Sequence, residues 1–221
     1  MSNTSLQEIR KKLAPFNCQL VAVSKTKPVE MILDLYNQDQ RHFGENRVAE
    51  LVDKQAVLPD DIHWHFIGHL QTNKVKYIAP FVHLIHAVDS FKLLKEINKR
   101  AKTNNRVIDV LLQFKIAQEE AKHGYSGEDI IAVLDNELLN SFDNIRIIGV
   151  MGMATFTDDT TQVEKEFIAL EHYFSQLKND HFSEQKSFKE LSMGMSGDYT
   201  LALKHGSTMV RIGSLLFGSR G

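Results

Sequence analysis

Cysteine is nearly absent: among 221 residues there is one, Cys18. That excludes an internal disulfide framework and a cysteine-rich zinc module, and it fits a reducing compartment. Proline is scarce at 4 residues and glycine modest at 12, so no Pro/Gly-rich linker divides the chain. Neither sign of charge dominates, since 26 basic against 28 acidic residues leave −2. A global basic field is missing, and no nucleic-acid partner is expected. No run approaches the roughly 18 apolar residues of a membrane helix, and Met1 to Glu8 carries no apolar core of a signal peptide. No membrane partner is expected either. These absences predict a cytoplasmic globular protein, and it is read as a monomer or weak dimer. The composition, 43% hydrophobic and 24% charged, is ordinary for one.

What is present is an alternation. Short apolar runs at Gln19–Ser24, Arg41–Phe43, His63–Ile67, Leu84–Ala87, Val107–Phe114, Arg146–Met151, Glu190–Met193 and Met209–Ile212 read as strands. Stretches with helical spacing lie between them, among them Val29–Asn37, Asn46–Lys54, Asn73–Ile78, Phe91–Thr103, Ser126–Leu134, Thr161–Asn179 and Tyr199–Lys204. Ahead of them Ser5-x-x-Glu8 is a capping box opening an extra helix, Ser5–Leu13. Eight β–α alternations predict an α/β fold, a single-domain (β/α)8 TIM barrel over residues 1–221 with its core at about 19–218. An open doubly wound sheet is the alternative.

In a barrel the chemistry sits at the C-terminal strand ends. Alternation along the first strand puts Val21, Val23 and Lys25 on one face. An amine above a packed core is disfavoured in its charged form, and a neutral amine attacks aldehydes. Lys27 shares the parity but precedes Pro28 and ranks second. On the last strand Val210 and Ile212 share one face, which turns Met209, Arg211 and Gly213 inward. A buried guanidinium needs an acceptor; a ligand atom or a carboxylate from another strand could supply it. Gly213-Ser214 after this strand and Gly194-Met195-Ser196-Gly197 after the seventh can cradle a phosphate. An aldehyde, a ring nitrogen and a phosphate occur together in pyridoxal 5′-phosphate (PLP).

Other clusters carry less. His63-x-His65, with His69 beyond, resembles a strand-borne metal pair but lacks further carboxylate ligands, so no metal is expected. Trp64 and Phe66 then face outward, with the histidines lining the interior. Lys92, Lys95, Lys99, Arg100 and Lys102 read as a solvated helix face broken by Glu96. The methionines at 151, 153, 193, 195 and 209 read as packing, and Cys18 as a small apolar residue.

Longer motifs carry a resemblance. Val21-Ala22-Val23-Ser24-Lys25-Thr26-Lys27-Pro28, Phe43-Gly44-Glu45-Asn46, His63-Trp64-His65-Phe66-Ile67-Gly68-His69-Leu70-Gln71-Thr72-Asn73-Lys74, Leu191-Ser192-Met193-Gly194-Met195-Ser196 and Gly206-Ser207-Thr208-Met209-Val210-Arg211-Ile212-Gly213 are similar to those of the pyridoxal phosphate homeostasis proteins. These are single-domain relatives of the alanine racemase barrel. The resemblance implies Lys25 as the Schiff-base lysine and Arg211 facing the pyridine nitrogen. It also implies Ser196, Gly213 and Ser214 at the phosphate with Thr208 nearby, and Asn46 lining the pocket. Departures fall at Gly197-Asp198 and at Gln118 to Gly124. The implied function is intracellular PLP and vitamin B6 homeostasis, with apo PLP-dependent enzymes as recipients and no established catalytic turnover. The resembling racemases take a second acid–base from a tyrosine of an added β domain, whereas ten residues follow Arg211 here. Of five tyrosines, Tyr199 is the one placed to be tested as a proton donor. A racemase-like enzyme acting on an amino acid and a phosphosugar or metal barrel are the alternatives.

Overall fold

A computed structural model describes residues 5–118, 124–134 and 141–218. Eight parallel strands close in sequence order: β1 (Gln19–Val23), β2 (His42–Glu45), β3 (His63–Phe66), β4 (Leu84–Val88), β5 (Ile108–Phe114), β6 (Ile145–Gly152), β7 (Glu190–Met195) and β8 (Met209–Ile212). The helices of the outer ring are α2 (Val29–Tyr36), α3 (Val48–Gln55), α4 (Val75–Ile78), α5 (Phe91–Thr103), α6 (Gly127–Leu134), α7 (Thr160–Asp180), α8 (Tyr199–Lys204) and the short α9 (Ser214–Phe217). The barrel excludes the open-sheet alternative, because β1 pairs with both β2 and β8. The departure at Gln118 to Gly124 lies largely outside the described residues.

The extra helix α1 (Leu6–Leu13) forms as its capping box predicts. Ser5 Oγ accepts from Glu8 N–H at 3.2 Å, and Ser5 N–H donates back to Glu8 Oε2 at 2.9 Å. Leu6, Ile9 and Leu13 bury one face. Arg10 ties the helix to the loop before β2 by donating to Gln38 O at 2.7 Å.

Strand alternation sorts side chains into two layers. Outward residues such as Ala22, Phe43, Trp64, Phe66, Val210 and Ile212 join one large core with the helices. Inward residues form a small apolar cluster of Val21, Leu84, Ala87, Leu111, Met151 and Met209. Polar groups share that interior: His65, His86, Ser192 and Arg211 are all buried. Of the methionines, Met193 packs in the outer core, while Met151 and Met209 fill the barrel, with Met153 against them. Strand β2 runs two residues past the expected Phe43, to Glu45. A carboxylate reads as a strand end in sequence, but Glu45 is fully buried because two other elements supply partners to it.

Between β6 and β7 the backbones approach closely at Gly149, whose φ is +157°. A Cβ there would stand 1.8 Å from Glu190 O. Gly197 is the opposite case, with nothing within 4 Å of a Cβ. Gly149→Ala is therefore expected to cost about 3 kcal/mol and Gly197→Ala less than about 0.5 kcal/mol. Denaturant unfolding of the two variants against the parent checks this; equal stabilities would contradict the strand contact.

Candidate functional site

The register of β1 assembles the C-terminal mouth. Val21 pairs with Arg211 and Ala22 with Ile212 on one side; Val23 pairs with Gly44 on the other. A Cβ on Gly213 would meet Val23 O at 3.1 Å, so glycine there lets the two loops close up. Lys25, two residues past the strand, thus has Asn46 beyond β2 on one flank and Gly213-Ser214 beyond β8 on the other. Lys25 and Lys27 are both half-buried.

A buried ion network fixes the turn that carries Lys25. Glu45 Oε1 accepts from Ser24 Oγ at 2.6 Å and from Lys54 Nζ at 2.7 Å. Lys54 Nζ also donates to Ser24 O at 2.8 Å and to Glu50 Oε1 at 2.7 Å. Glu50 Oε1 in turn accepts the Thr26 N–H at 2.6 Å, holding Thr26 at a positive φ of 63°. Both sides of the lysine are therefore pinned, one by a carbonyl and a hydroxyl, the other by an amide. Burial raises the Glu45 carboxyl above the usual carboxylate range, against the hydrogen bonds from Lys54 and Ser24. Nothing in the sequence pattern singled out Glu45 or Lys54, because a glutamate and a lysine nine positions apart read as solvated charges.

Arg211 is buried and inward, as alternation predicts. Nη1 donates to Ser192 Oγ at 2.6 Å and Nη2 to Gly152 O at 2.9 Å. Among the described residues no carboxylate pairs with it, so the carboxylate reading of its partner does not hold. Burial pushes its guanidinium down to about 10, with the Asp198 charge opposing. Below it runs a column of imidazoles. Ser192 Oγ lies 3.0 Å from His86 Nδ1, His86 Nε2 2.9 Å from His65 Nδ1, and His65 Nε2 2.9 Å from His42 Nδ1. Burial and neighbouring charge hold His65 and His86 well below the ordinary histidine range, and burial pushes His42 down to about 4.

The loops after β7 and β8 meet where Gly213 N–H donates to Ser196 Oγ at 3.3 Å. Asp198 braces the β7 loop by accepting the Met195 N–H at 2.5 Å. Ser214 is exposed at the start of α9. Asn46 Oδ1 is buried with no hydrogen-bond partner among the described residues, as is Glu45 Oε2. Gly68 presses against Asn46, since a Cβ there would lie 2.3 Å from Asn46 O. An orphaned acceptor beside a lysine and a glycine-lined, hydroxyl-bearing cradle fit a phosphorylated aldehyde.

Four strand ends, β1, β2, β7 and β8, therefore bring Lys25, Asn46, Ser196, Arg211, Gly213 and Ser214 to one mouth. Thr208 is not with them. It precedes β8 at the opposite mouth, donating to Glu190 Oε2 at 2.7 Å and accepting from Leu191 N–H at 2.8 Å. Tyr199, the first residue of α8, is buried and packs in the outer core. The histidines weighed as a metal group separate: His65 is inside the barrel, His69 lies 3.1 Å from Asp89, and His63 stands at the N-terminal mouth. On α5, Arg100 pairs with Glu96 at 2.6 Å, as a solvated face does. Burial pushes the Cys18 thiol up to about 11.

Comparison with known proteins decides the family. The profile of the alanine racemase N-terminal domain matches residues 3–221. The pyridoxal phosphate homeostasis protein of Aquifex aeolicus is 40% identical over 206 residues, covering 92% of this chain and 88% of that one. The human protein of the same name is 36% identical over 211 residues, covering 91% and 76%. The chain belongs to the pyridoxal phosphate homeostasis family. Its fold matches PipY of Synechococcus elongatus solved with PLP bound, with a TM-score of 0.83, 34% identity and coverage of 95% and 100%. The alanine racemase of Bartonella henselae, at 16% identity and a TM-score of 0.73, shares the fold and covers 96% of this chain with 57% of its own. Among the described residues no helix is long and apolar enough to cross a membrane.

Removing Lys54 leaves Glu45 buried without its cation. Lys54→Met is expected to cost about 3 kcal/mol near neutral pH. The sign with pH follows from Glu45: its folded carboxyl already titrates above the unfolded one, and loss of the ammonium raises it further. The native variant therefore takes up a proton more readily than its unfolded chain as pH falls, and the deficit shrinks as pH is lowered from neutral toward the ordinary carboxylate range. Unfolding of variant and parent across that range checks the sign; a deficit independent of pH contradicts it.

Proposed function

We propose that this protein holds PLP at the C-terminal mouth of the barrel and serves intracellular PLP homeostasis. The observation that carries the reading is the meeting of a pinned, half-buried lysine with a hydroxyl-bearing glycine cradle across adjacent strand ends. The names of the relatives and the PLP-bound PipY structure support it. PLP supplies an aldehyde that an amine can capture reversibly and a ring that can withdraw electrons. Lys25 is the amine, with Lys27 as its electrostatic neighbour. Ser196, Gly213 and Ser214 take the phosphate through hydroxyl and amide donors. Asn46 offers its orphaned acceptor to the pocket, and Arg211 serves the ring nitrogen. Thr208, held by Glu190 at the far mouth, has no part in this site.

Holding rather than turning over follows from the residues around the mouth. Arg211 stays charged at neutral pH, and a guanidinium beside a ring nitrogen disfavours protonation of that nitrogen. The ring is then a weak electron sink. Tyr199, the tyrosine a racemase-like reaction would call on, is packed away in the core. The protein acts in the cytoplasm as a monomer, and its recipients are apo PLP-dependent enzymes.

Two variants test this. Borohydride treatment of the PLP-loaded protein, followed by peptide mapping, should place the label on Lys25, and Lys25→Ala should abolish it with thermal unfolding unchanged. Label persisting on Lys27 overturns the choice of lysine, and a protein that takes up no PLP overturns the function. Arg211→Ala should keep the Lys25 label but weaken PLP retention about 10- to 100-fold, the worth of hydrogen bonds to a charged group. Equilibrium dialysis reads that loss, and unchanged retention removes Arg211 from the site.

A further inference from the structure

Three histidines stand at the N-terminal mouth, at the opposite end of the barrel from Lys25. His42 opens β2, His63 opens β3, and His83 immediately precedes β4. Parallel register sets His42 beside His63. The backbone N–H of His83 donates to Trp64 O at 2.9 Å. Strand pairing therefore fixes all three positions. One ring nitrogen of each lies within 4.8 Å of the others.

The pair His42 Nε2 and His63 Nδ1 is 3.3 Å apart. Two nitrogens bound to one tetrahedral ion at about 2.05 Å stand roughly 3.3 Å from each other. That pair already has the spacing of a ligand edge. His83 stacks on His63 with centroids 4.4 Å apart and planes at 11°. Both rings are exposed, so His83 is free of packing that would oppose tilting it out of the stack to aim its nitrogen at the same centre. His42 presents Nε2 for a defined reason: its Nδ1 is engaged with buried His65 at 2.9 Å. A partner on the far ring nitrogen is what orients ligand histidines.

We propose that His42, His63 and His83 form a binding site for a borderline first-row divalent ion of the zinc type, with water in the fourth position. Three nitrogen donors without a carboxylate select such ions over magnesium or calcium. The charged groups nearest His83 are already engaged. Asp109 accepts from Arg146 at 2.7 and 2.9 Å, and Arg106 donates to Ala79 O and Val82 O. A cavity of about 850 Å³ at this mouth, lined by His42, His63, Gln19 and Arg41 but not by His83, gives the His42–His63 edge access to an ion and its water.

The site also sets the direction of the column above it. An ion on His42 Nε2 leaves the ring proton on Nδ1, which donates to His65 Nε2. His65 then donates from Nδ1 to His86, and His86 from Nδ1 to Ser192 Oγ. Every bond in the column points toward Arg211.

Full-length protein without an affinity tag, stripped by chelator, is titrated with Zn²⁺ by calorimetry and with Co²⁺ by visible absorption. One ion per chain is expected. His63→Ala and His83→Ala, both at exposed positions, should each weaken binding at least tenfold with thermal unfolding unchanged. His69→Ala, at the other mouth, should leave binding as it is. Absence of stoichiometric uptake, or uptake indifferent to both variants, overturns the site. Nitrogen-15 spectra of the zinc-loaded protein should place the His65 and His86 protons on Nδ1; protons on Nε2 overturn the alignment. These readings use the metal alone and stand apart from the outcome of the PLP assays.

Discussion

A buried guanidinium that forms no ion pair among the described residues organises the interior of this barrel. A buried charge is costly unless hydrogen-bonded, and Arg211 meets that demand with neutral acceptors, the Ser192 hydroxyl and the Gly152 carbonyl. The choice propagates. Ser192 is shared with His86, His86 with His65, and His65 with His42. The positive charge of Arg211 adds to burial in keeping His86 unprotonated. A neutral imidazole both donates and accepts, so a column of them can run the length of a barrel where a column of cations could not. The apolar cluster around it, Val21, Leu84, Ala87, Leu111, Met151 and Met209, is small because the polar column occupies the rest of the interior.

The C-terminal mouth is stiffened by a different device. The Glu45–Lys54 pair is buried, and such pairs are weak evidence for net stability. What this one does is local: it holds Ser24 O directly, and the Thr26 N–H through Glu50, the backbone on either side of Lys25. A site residue on a loop gains precision when its neighbours are locked from below. The Lys25 turn rests on that network, and the Ser196–Gly213 contact does the same for the facing loops.

Much of this was legible in the sequence, and the limits have physical causes. Alternation placed Arg211 and Met209 inward and Trp64 and Phe66 outward correctly, because period-two parity follows from strand geometry alone. The capping box at Ser5 was legible because it is a contact three residues long. The resemblance set Thr208 near the phosphate, whereas it lies at the far mouth against Glu190 and Leu191; parity says nothing about height along the barrel and could not have corrected it. Glu45 and Lys54 were illegible as partners because only the turn between β2 and α3 brings them together. His42 and His83 were passed over for a related reason: a histidine opening a strand has no signal until the registers of three strands align their first residues.

That no described carboxylate is hydrogen-bonded to Arg211 also bears on what the mouth can do. A guanidinium carries five N–H donors in a fixed fork, and a bidentate carboxylate would take two of them and quench the charge. Ser192 and Gly152 each take one and leave the charge in place. Arg211 can therefore still donate to an acceptor on a ligand while disfavouring protonation of that acceptor. In the function proposed above, a lysine able to capture an aldehyde, paired with a cation that weakens the ring as an electron sink, would favour keeping a cofactor over using it. The same charge that helps keep the imidazole beneath it neutral is, in that proposal, what tilts the rim above it toward retention.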